Sequence, residues 1–256
     1  MQARCVGPVM AFMVASALPA QAAPCQMKMA LEQWPPYVYT RPDGPPAGLD
    51  LELAQAIFKE AGCALQLLPA LPTARRQRQF EQGGLDLLLA ASDTAERRKY
   101  ARFSLAYRFE SVSVFTRSAN LARYREVRSV EALAGKNLSL LAPKLGWYGA
   151  AYAHVRPRLL ESGHLSTFLS FEQGLRMLDA GRAELILGDT AALRHEAREQ
   201  GIAIAPLPFI VLRAPVHLML NKHSTTQAEL DLLNAAILRL EKQGVLAEIR
   251  GRYGVS

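Results

Sequence analysis

The 256-residue sequence has few cysteines, few aromatic residues and no long apolar segment. It contains only three cysteines, and phenylalanine, tryptophan and tyrosine make up 7% of the chain. Three cysteines are too few for a small disulfide-rich scaffold or for a four-cysteine zinc site. No apolar run reaches the roughly 20 residues that a membrane-spanning helix needs. These absences argue against a disulfide scaffold and predict that the chain has no membrane-spanning helix.

The first 22 residues have the pattern of a secretory signal peptide. Arg4 supplies a positive charge, Val9 to Leu18 is a short apolar run, and Ala20-Gln21-Ala22 fits a small-x-small cleavage site. We therefore expect residues 1–22 to be removed and the chain to be exported to the periplasm.

Two cysteines remain after this cleavage. Cys5 lies within the signal peptide, whereas Cys25 and Cys63 follow it. In an oxidising compartment these two thiols can form a disulfide. Each precedes a predicted strand, which favours the bond, and two separate buried thiols are the alternative.

Patterns for metal and nucleic-acid binding are missing as well. The sequence has no Cys-x-x-Cys, and its five histidines lack zinc-ligand spacing. The formal net charge is +7, but the basic residues are dispersed. Their densest groups, Arg75-Arg76-Gln77-Arg78 and Arg97-Arg98-Lys99, contain no aromatic residue that could stack on a base. We therefore expect no metal, no cofactor and no nucleic-acid partner.

Apolar segments alternate with helical patterns, which is typical of α/β layers with parallel sheets. Met27 to Leu31 and Ala64 to Leu68 predict strands. Between them, apolar residues at helical spacing predict a helix that ends at Gly62. A second amphipathic helix is predicted near the C-terminus, with Gly244 as its end.

Two segments of the chain resemble each other. They run from Gly84 to Thr94 and from Arg182 to Thr190. Each has a helix exit, one acid, three bulky apolar residues, and then small and polar residues. An uninterrupted apolar run suits a strand that is covered on both faces, and chance similarity is the alternative. If the similarity is real, each unit places polar residues at the carboxyl end of a strand, where open α/β sheets bind ligands.

Four ordered blocks resemble the family 3 extracellular solute-binding proteins of ABC importers. The first block runs from Gly83 to Ser104 and matches the family at Asp86, Ser92, Thr94, Arg97, Phe103 and Ser104, with Tyr107 just after it. The other blocks are Trp34-Pro35-Pro36-Tyr37 with Gly48-Leu49-Asp50, Leu133-Ala134-Gly135-Lys136, and Gly181-Arg182 through Asp189. The resemblance covers nearly the whole chain after the signal peptide.

This resemblance implies an α/β fold of the type II periplasmic binding protein class, with two lobes, a ligand cleft between them and two hinge crossovers. We place lobe 1 at residues 23–110 and 216–256. Lobe 2 is residues 111–215, with the outward crossover near Glu110-Ser111 and the return crossover at 206–215.

The function that the resemblance implies is ligand capture by hinge closure. We expect a monomer that binds an amino acid or a related polar metabolite and delivers it to the membrane permease of an ABC importer. A ligand-sensing module for a membrane receptor is an alternative, and a dehydratase-like enzyme on the same fold is another. We expect no enzyme, because the sequence has no Gly-x-Ser-x-Gly motif and no paired catalytic carboxylates.

The resemblance also implies residues for the ligand's two charged groups. In amino-acid-binding members, the arginine of Thr-x-x-Arg holds the ligand carboxylate, and that position here is Arg97. Its guanidinium can donate two parallel hydrogen bonds, and a place in a surface basic run is the alternative. Ser92 would add a donor. Asp189 matches the acceptor for the ligand ammonium, and its alternative role is a helix N-cap.

Four further residues are candidates for the cleft. Trp34 and Tyr37 would form an aromatic wall, or they are ordinary core elements. Glu32 lies near an acidic position of some relatives. Arg75 could reach the cleft from a helix start, or lie on a solvated helix face.

One segment departs from the family pattern. After Gly135-Lys136, amino-acid binders usually have a Gly-Thr/Ser-Thr run. This chain has instead Leu141 to Tyr148, a loop with aromatic residues and no hydroxyl at the expected place. A peptide-like, aromatic or opine-like ligand is therefore an alternative to an α-amino acid.

Overall fold

The computed structural model describes residues 25–40 and 44–255, so the predicted signal peptide lies outside the described residues. The strands are β1 (Gln26–Ala30), β2 (Tyr39–Thr40), β3 (Pro46–Ala47), β4 (Ala64–Leu68), β5 (Leu87–Ala91), β6 (Ala101–Arg117), β7 (Leu140–Pro143), β8 (Leu165–Phe168), β9 (Leu185–Asp189) and β10 (Ile204–Asn221). The helices are α1 (Leu49–Ala61), α2 (Thr73–Glu81), α3 (Val130–Gly135), α4 (Ala150–Glu161), α5 (Phe171–Asp179), α6 (Thr190–Glu199), α7 (Gln227–Lys242) and α8 (Val245–Arg252).

The sheets are mixed rather than parallel throughout. One sheet has six strands in the order β5-β10-β6-β9-β7-β8, while β1 pairs with β4 and β2 pairs with β3. Pairing is parallel for β1 with β4 and for β7 with β8 and β9. It is antiparallel where β6 and β10 take part. The prediction of parallel sheets is therefore correct for the pairs β1 with β4, β7 with β8 and β7 with β9. It is wrong for the two crossover strands, β6 and β10, which run in opposite directions.

The two crossovers form one long ladder. β6 has 17 residues and β10 has 18, and they pair from Ala101 with Asn221 to Arg117 with Ile204. The predicted crossover positions lie inside this ladder, where Glu110 pairs with Ala214. The lobe boundaries given above stay a prediction.

The short-range predictions correspond closely to the structure. β4 has the predicted bounds, and β1 begins and ends one residue earlier than predicted. α1 ends at Gly62, whose left-handed backbone (φ 69°) favours glycine. α7 ends at Lys242, and the left-handed Gly244 (φ 78°) two residues later separates it from α8, as predicted.

Separate hydrophobic cores lie toward the two ends of the crossover ladder. One core combines β1, α1 and the C-terminal helices, through residues such as Met27, Ile57 and Leu233. Another combines the middle of the chain, through residues such as Val114 and Leu185. Ala192, at the start of α6, packs into the first core. The start of α6 therefore contacts the N-terminal part of the chain.

The predicted disulfide is present. Cys25 and Cys63 are bonded, with 4.7 Å between their Cα atoms, and the bond ties the entry of β1 to the entry of β4. None of the described helices could span a membrane. Within residues 25–40 and 44–255, no group of three or more His, Cys, Asp or Glu side chains is placed to hold a metal ion.

Candidate functional site

The two similar segments lie on either side of the crossover ladder. β5 borders β10, and β9 borders β6. Ser92 follows the end of β5, and Asp189 ends β9. Between them, on β6, Glu110 accepts a hydrogen bond from the Ser92 hydroxyl at 3.3 Å. Polar residues therefore come together at the middle of the ladder.

Asp189 is buried and caps a helix. Its Oδ1 accepts hydrogen bonds from the Ala192 amide at 2.9 Å and from the Tyr37 hydroxyl at 2.8 Å. The N-cap role that the sequence left open is therefore present. Its Oδ2 is buried and accepts no hydrogen bond from the described part of the chain. Burial raises the pKa of this carboxyl, and its role toward a ligand ammonium stays a prediction.

Tyr37 connects the N-terminal segment to Asp189. Its ring centroid lies 4.1 Å from the guanidinium carbon of Arg108 and 4.5 Å from the ring of Trp34. Burial, and then the Asp189 carboxylate, raise the pKa of Tyr37, so its hydroxyl stays a hydrogen-bond donor. Trp34 is half-buried beside it. Both aromatic residues lie together, and their contact with a ligand stays a prediction.

Gly48 permits this arrangement. Its φ is 124°, and a Cβ atom there would lie 2.3 Å from the carbonyl oxygen of Tyr37. The amide of Asp50 donates to the same carbonyl at 2.9 Å. The Gly48-Leu49-Asp50 block therefore fixes the backbone that carries Tyr37.

A buried ion pair next to Tyr37 was not predicted from the sequence. Arg108 donates to both carboxylate oxygens of Asp50, at 2.5 and 2.7 Å. The two side chains are 0% and 1% exposed. The charges of Arg108 and Asp50 therefore offset each other next to Tyr37. The Gly48-Leu49-Asp50 block could have indicated Asp50 as a site residue. No pattern near Arg108 in the sequence indicated a role for that residue.

Glu110 was also missed as a site residue. It is buried on β6, and burial, followed by the charge of Asp189, raises its pKa to about 7. The signal was an acid between Phe109 and Val112, in a segment predicted as a crossover.

Arg97 and Ser92 are in direct contact. Arg97 begins a 3-10 turn, and its backbone amide donates to the Thr94 hydroxyl at 3.3 Å. Its Nη1 donates to the Ser92 carbonyl at 2.9 Å. The half-buried guanidinium therefore lies at the strand end that also holds Glu110. The binding of a ligand carboxylate by Arg97 stays a prediction.

Glu32 contacts helix α2, and the neighbouring residues Arg75 and Arg76 of that helix differ in exposure. Glu32 pairs with Arg76 at 2.5 Å, and burial raises the pKa of this carboxyl. Arg75 is exposed, so the inward-facing arginine is Arg76, whose Nη1 is buried without a partner in the described residues. The buried Phe80, one turn beyond Arg76, was the signal for this helix face.

The segment that departs from the family pattern is partly a strand. Leu141 to Pro143 belong to buried β7, and the loop covers residues 144–149. Burial, followed by the charges of Asp189 and Glu110, raises the pKa of Tyr148. Its ring forms one wall of a cavity of about 310 Å³, which is also lined by Lys144, Trp147, Tyr152 and Arg156.

The arrangement can hold a small polar molecule that has charges of both signs. Arg97 offers a guanidinium from one strand end, and Asp189 offers a buried carboxylate oxygen from another. Tyr37 contacts Asp189, and Tyr148 adds aromatic surface near the same carboxylate.

Comparison with known proteins identifies the family. Residues 27–256 match the sequence profile of the bacterial extracellular solute-binding proteins, family 3. The chain belongs to this family. A relative of this family 3 chain, the arginine-binding periplasmic protein of Mannheimia haemolytica, is 23% identical to it over 230 residues. The alignment covers 86% of this chain and 87% of the relative.

Solved structures share the fold of this family 3 protein. It is similar to an ancestral arginine-binding protein bound to arginine, with a TM-score of 0.72, 20% identity, and 89% and 97% of the two chains covered. It is also similar to a histidine kinase sensor domain related to periplasmic binding proteins, with a TM-score of 0.71, 18% identity, and 90% and 95% covered. The prediction of the type II periplasmic binding protein fold is confirmed.

Proposed function

We propose that this family 3 protein is exported to the periplasm, closes its two lobes on a small amino-acid-like ligand as a monomer, and delivers that ligand to the permease of an ABC importer. The observation that supports this most is the state of Asp189. Its Oδ1 joins the N-terminal segment to β9 and α6 through Tyr37, while its Oδ2 is buried without a partner in the described chain. Such an oxygen is costly to bury unless a ligand donor completes it.

The proposed ligand lies between two charged groups. Arg97 binds its carboxylate, with Ser92 beside it, and Asp189 accepts from its ammonium. Neither group alone surrounds the ligand. Arg97 contacts Ser92, which follows β5, and Asp189 ends β9, so the two groups belong to strands on opposite sides of the ladder. Binding is therefore strongest when the lobes meet, which favours the closed state.

The name of the Mannheimia haemolytica relative supports an amino acid as the ligand class. We propose binding without chemical conversion, because the family to which the chain belongs is one of solute-binding proteins. A periplasmic location follows from this role and from the predicted signal peptide.

Sensing is a second candidate, favoured by the similarity to a histidine kinase sensor domain. The ligand and the closure of the two lobes would be the same, and the partner would be a membrane receptor. A permease gene beside this one would favour transport, and a receptor kinase gene would favour sensing.

A ligand screen tests the proposal. Purified protein is screened by thermal shift against amino acids and related metabolites, and each hit is incubated and checked for conversion by mass spectrometry. A hit that is recovered unchanged supports binding without catalysis. A converted hit contradicts it, and the absence of any hit among amino acids contradicts the ligand class.

Variants of the two charged residues test the pose. Arg97→Lys and Asp189→Asn should each weaken the hit at least tenfold by calorimetry. Lysine cannot reproduce the two parallel hydrogen bonds of the guanidinium, and asparagine leaves the ligand ammonium without its charged partner, at a cost of about 2–5 kcal/mol. Asparagine is as good an N-cap as aspartate, so the fold should survive. Arg98→Lys is the matched control, because that neighbouring side chain is 69% exposed. Unchanged affinity in both test variants would refute the pose.

A further inference from the structure

Glu110 and Asp189 face the same region of the protein. Asp189 pairs with Val112 across β6 and β9, and Glu110 is two residues before Val112 on the same strand. Directly paired residues share a face of a sheet, and so do residues two apart. Glu110 and Asp189 are therefore diagonal neighbours on one face, where side chains are about 7–8 Å apart and long ones can meet.

The charges around this pair do not balance. Arg108 is engaged by Asp50 through two hydrogen bonds. The nearby Tyr37 and Tyr148 are hydroxyls whose raised pKa values keep them neutral. The remaining cations are Arg97, whose Nη1 donates to the Ser92 carbonyl, and Lys144 and Arg156, which line the cavity beside Tyr148. Within the described residues, the hydrogen bonds of Glu110 and Asp189 come from other groups.

The hydrogen bonding of Asp189 is incomplete as well. Glu110 accepts from the Ser92 hydroxyl at 3.3 Å. Asp189 has its Oδ2 buried and unpartnered within the described residues, which points to a missing donor. A group with several donors and a positive charge would satisfy both needs.

We propose that Glu110 is a second carboxylate for the ligand's positive charge beside Asp189, so that the site selects ligands with a net positive charge, such as diamino or guanidino acids. This inference rests on the proposed function. The ligand carboxylate lies at Arg97, and its cationic groups lie at the two acids.

Binding of such a ligand displaces a proton. Burial, then the charge of Asp189, raise the pKa of Glu110 to about 7, whereas Arg108 and Ser92 oppose the shift and Asp50 adds to it. A cation favours the charged carboxylate, so binding lowers this pKa and releases about half a proton at pH 7. Affinity therefore rises with pH, by about tenfold between pH 6 and pH 8.

Calorimetry with four amino acids tests the inference. L-Arginine and L-lysine carry a net positive charge, L-glutamine is neutral and L-glutamate is negative, with the same α-carboxylate and α-ammonium. The two cations should bind at least tenfold more tightly than L-glutamine. Titrations in two buffers of different ionisation enthalpy should show proton release at pH 7.

Variants separate Glu110 from the rest of the site. Glu110→Gln should lose at least tenfold in affinity for L-arginine and should lose the pH dependence. Glu172→Gln removes the same charge from an exposed ion pair and should change neither. Where Glu110→Gln does not fold, the proton count and pH profile of the wild-type protein decide.

Each contrary outcome has a distinct meaning. Preference for L-glutamine or L-glutamate, or pH-independent binding of L-arginine, overturns the role of Glu110 and leaves the proposed function intact. Unchanged binding by a folded Glu110→Gln does the same. If none of the four amino acids binds to the wild-type protein, the inference is overturned, and the wider ligand screen decides whether the proposed amino-acid ligand is overturned with it.

Discussion

Replacing Arg108 with methionine would leave the Asp50 carboxylate buried without its partner. Two charge-assisted hydrogen bonds, at 2.5 and 2.7 Å, would be lost, together with the contact of the guanidinium on the Tyr37 ring. Removing one member of a buried ion pair costs about 3–5 kcal/mol, because the other charge stays in a poorly solvated place. We therefore expect Arg108→Met to lower the free energy of unfolding by this amount.

A double variant separates the charge from the packing. Arg108→Met with Asp50→Leu replaces both charges by apolar groups of similar size, and such replacements are often neutral. The double variant should therefore recover most of the stability that Arg108→Met loses.

Urea denaturation followed by circular dichroism measures these differences. Arg98→Met is the control, since its ion pair with Asp93 is exposed, and its denaturation midpoint should not move. A loss below about 1 kcal/mol in Arg108→Met would refute the reasoning, and so would a double variant that is less stable than the single one.

Two further predictions concern the disulfide and the glycine that precedes α1. Replacing Cys25 and Cys63 with serine should lower the free energy of unfolding by about 4 kcal/mol in the entropic treatment, because the bond joins residues 38 positions apart. Equal denaturation midpoints with and without the bond would contradict this. Gly48→Ala should destabilise the fold and weaken ligand binding, because its Cβ would lie 2.3 Å from the Tyr37 carbonyl oxygen. Gly251→Ala, with open space around its Cβ, should be neutral or stabilising; equal effects of the two alanines in thermal unfolding would refute the steric argument.

Much of the fold follows from short-range signals. The end of α1 at Gly62 and the bounds of β4 depend on neighbouring residues, so a pattern of apolar spacing and one glycine is sufficient. The pairing of Cys25 with Cys63 needed only a count and a compartment. Asp189 at a strand end was also visible in the sequence, both as an N-cap and as a candidate ligand residue.

The rest depends on contacts between distant parts of the chain. The antiparallel ladder of β6 and β10 joins segments about a hundred residues apart in sequence, so a local pattern does not specify it. Arg108 and Asp50 are 58 residues apart, and either one alone is an unremarkable charge. Glu110 gains its raised pKa from burial and from Asp189, neither of which can be read from its neighbours in the sequence.

Small-angle X-ray scattering tests the central claim, that two lobes close on a ligand. The free protein and the protein saturated with the strongest hit of the ligand screen are measured under the same conditions. Closure around the ligand predicts a smaller radius of gyration in the saturated sample. An identical radius in both samples, with a free form that scatters as an open molecule, would contradict the account.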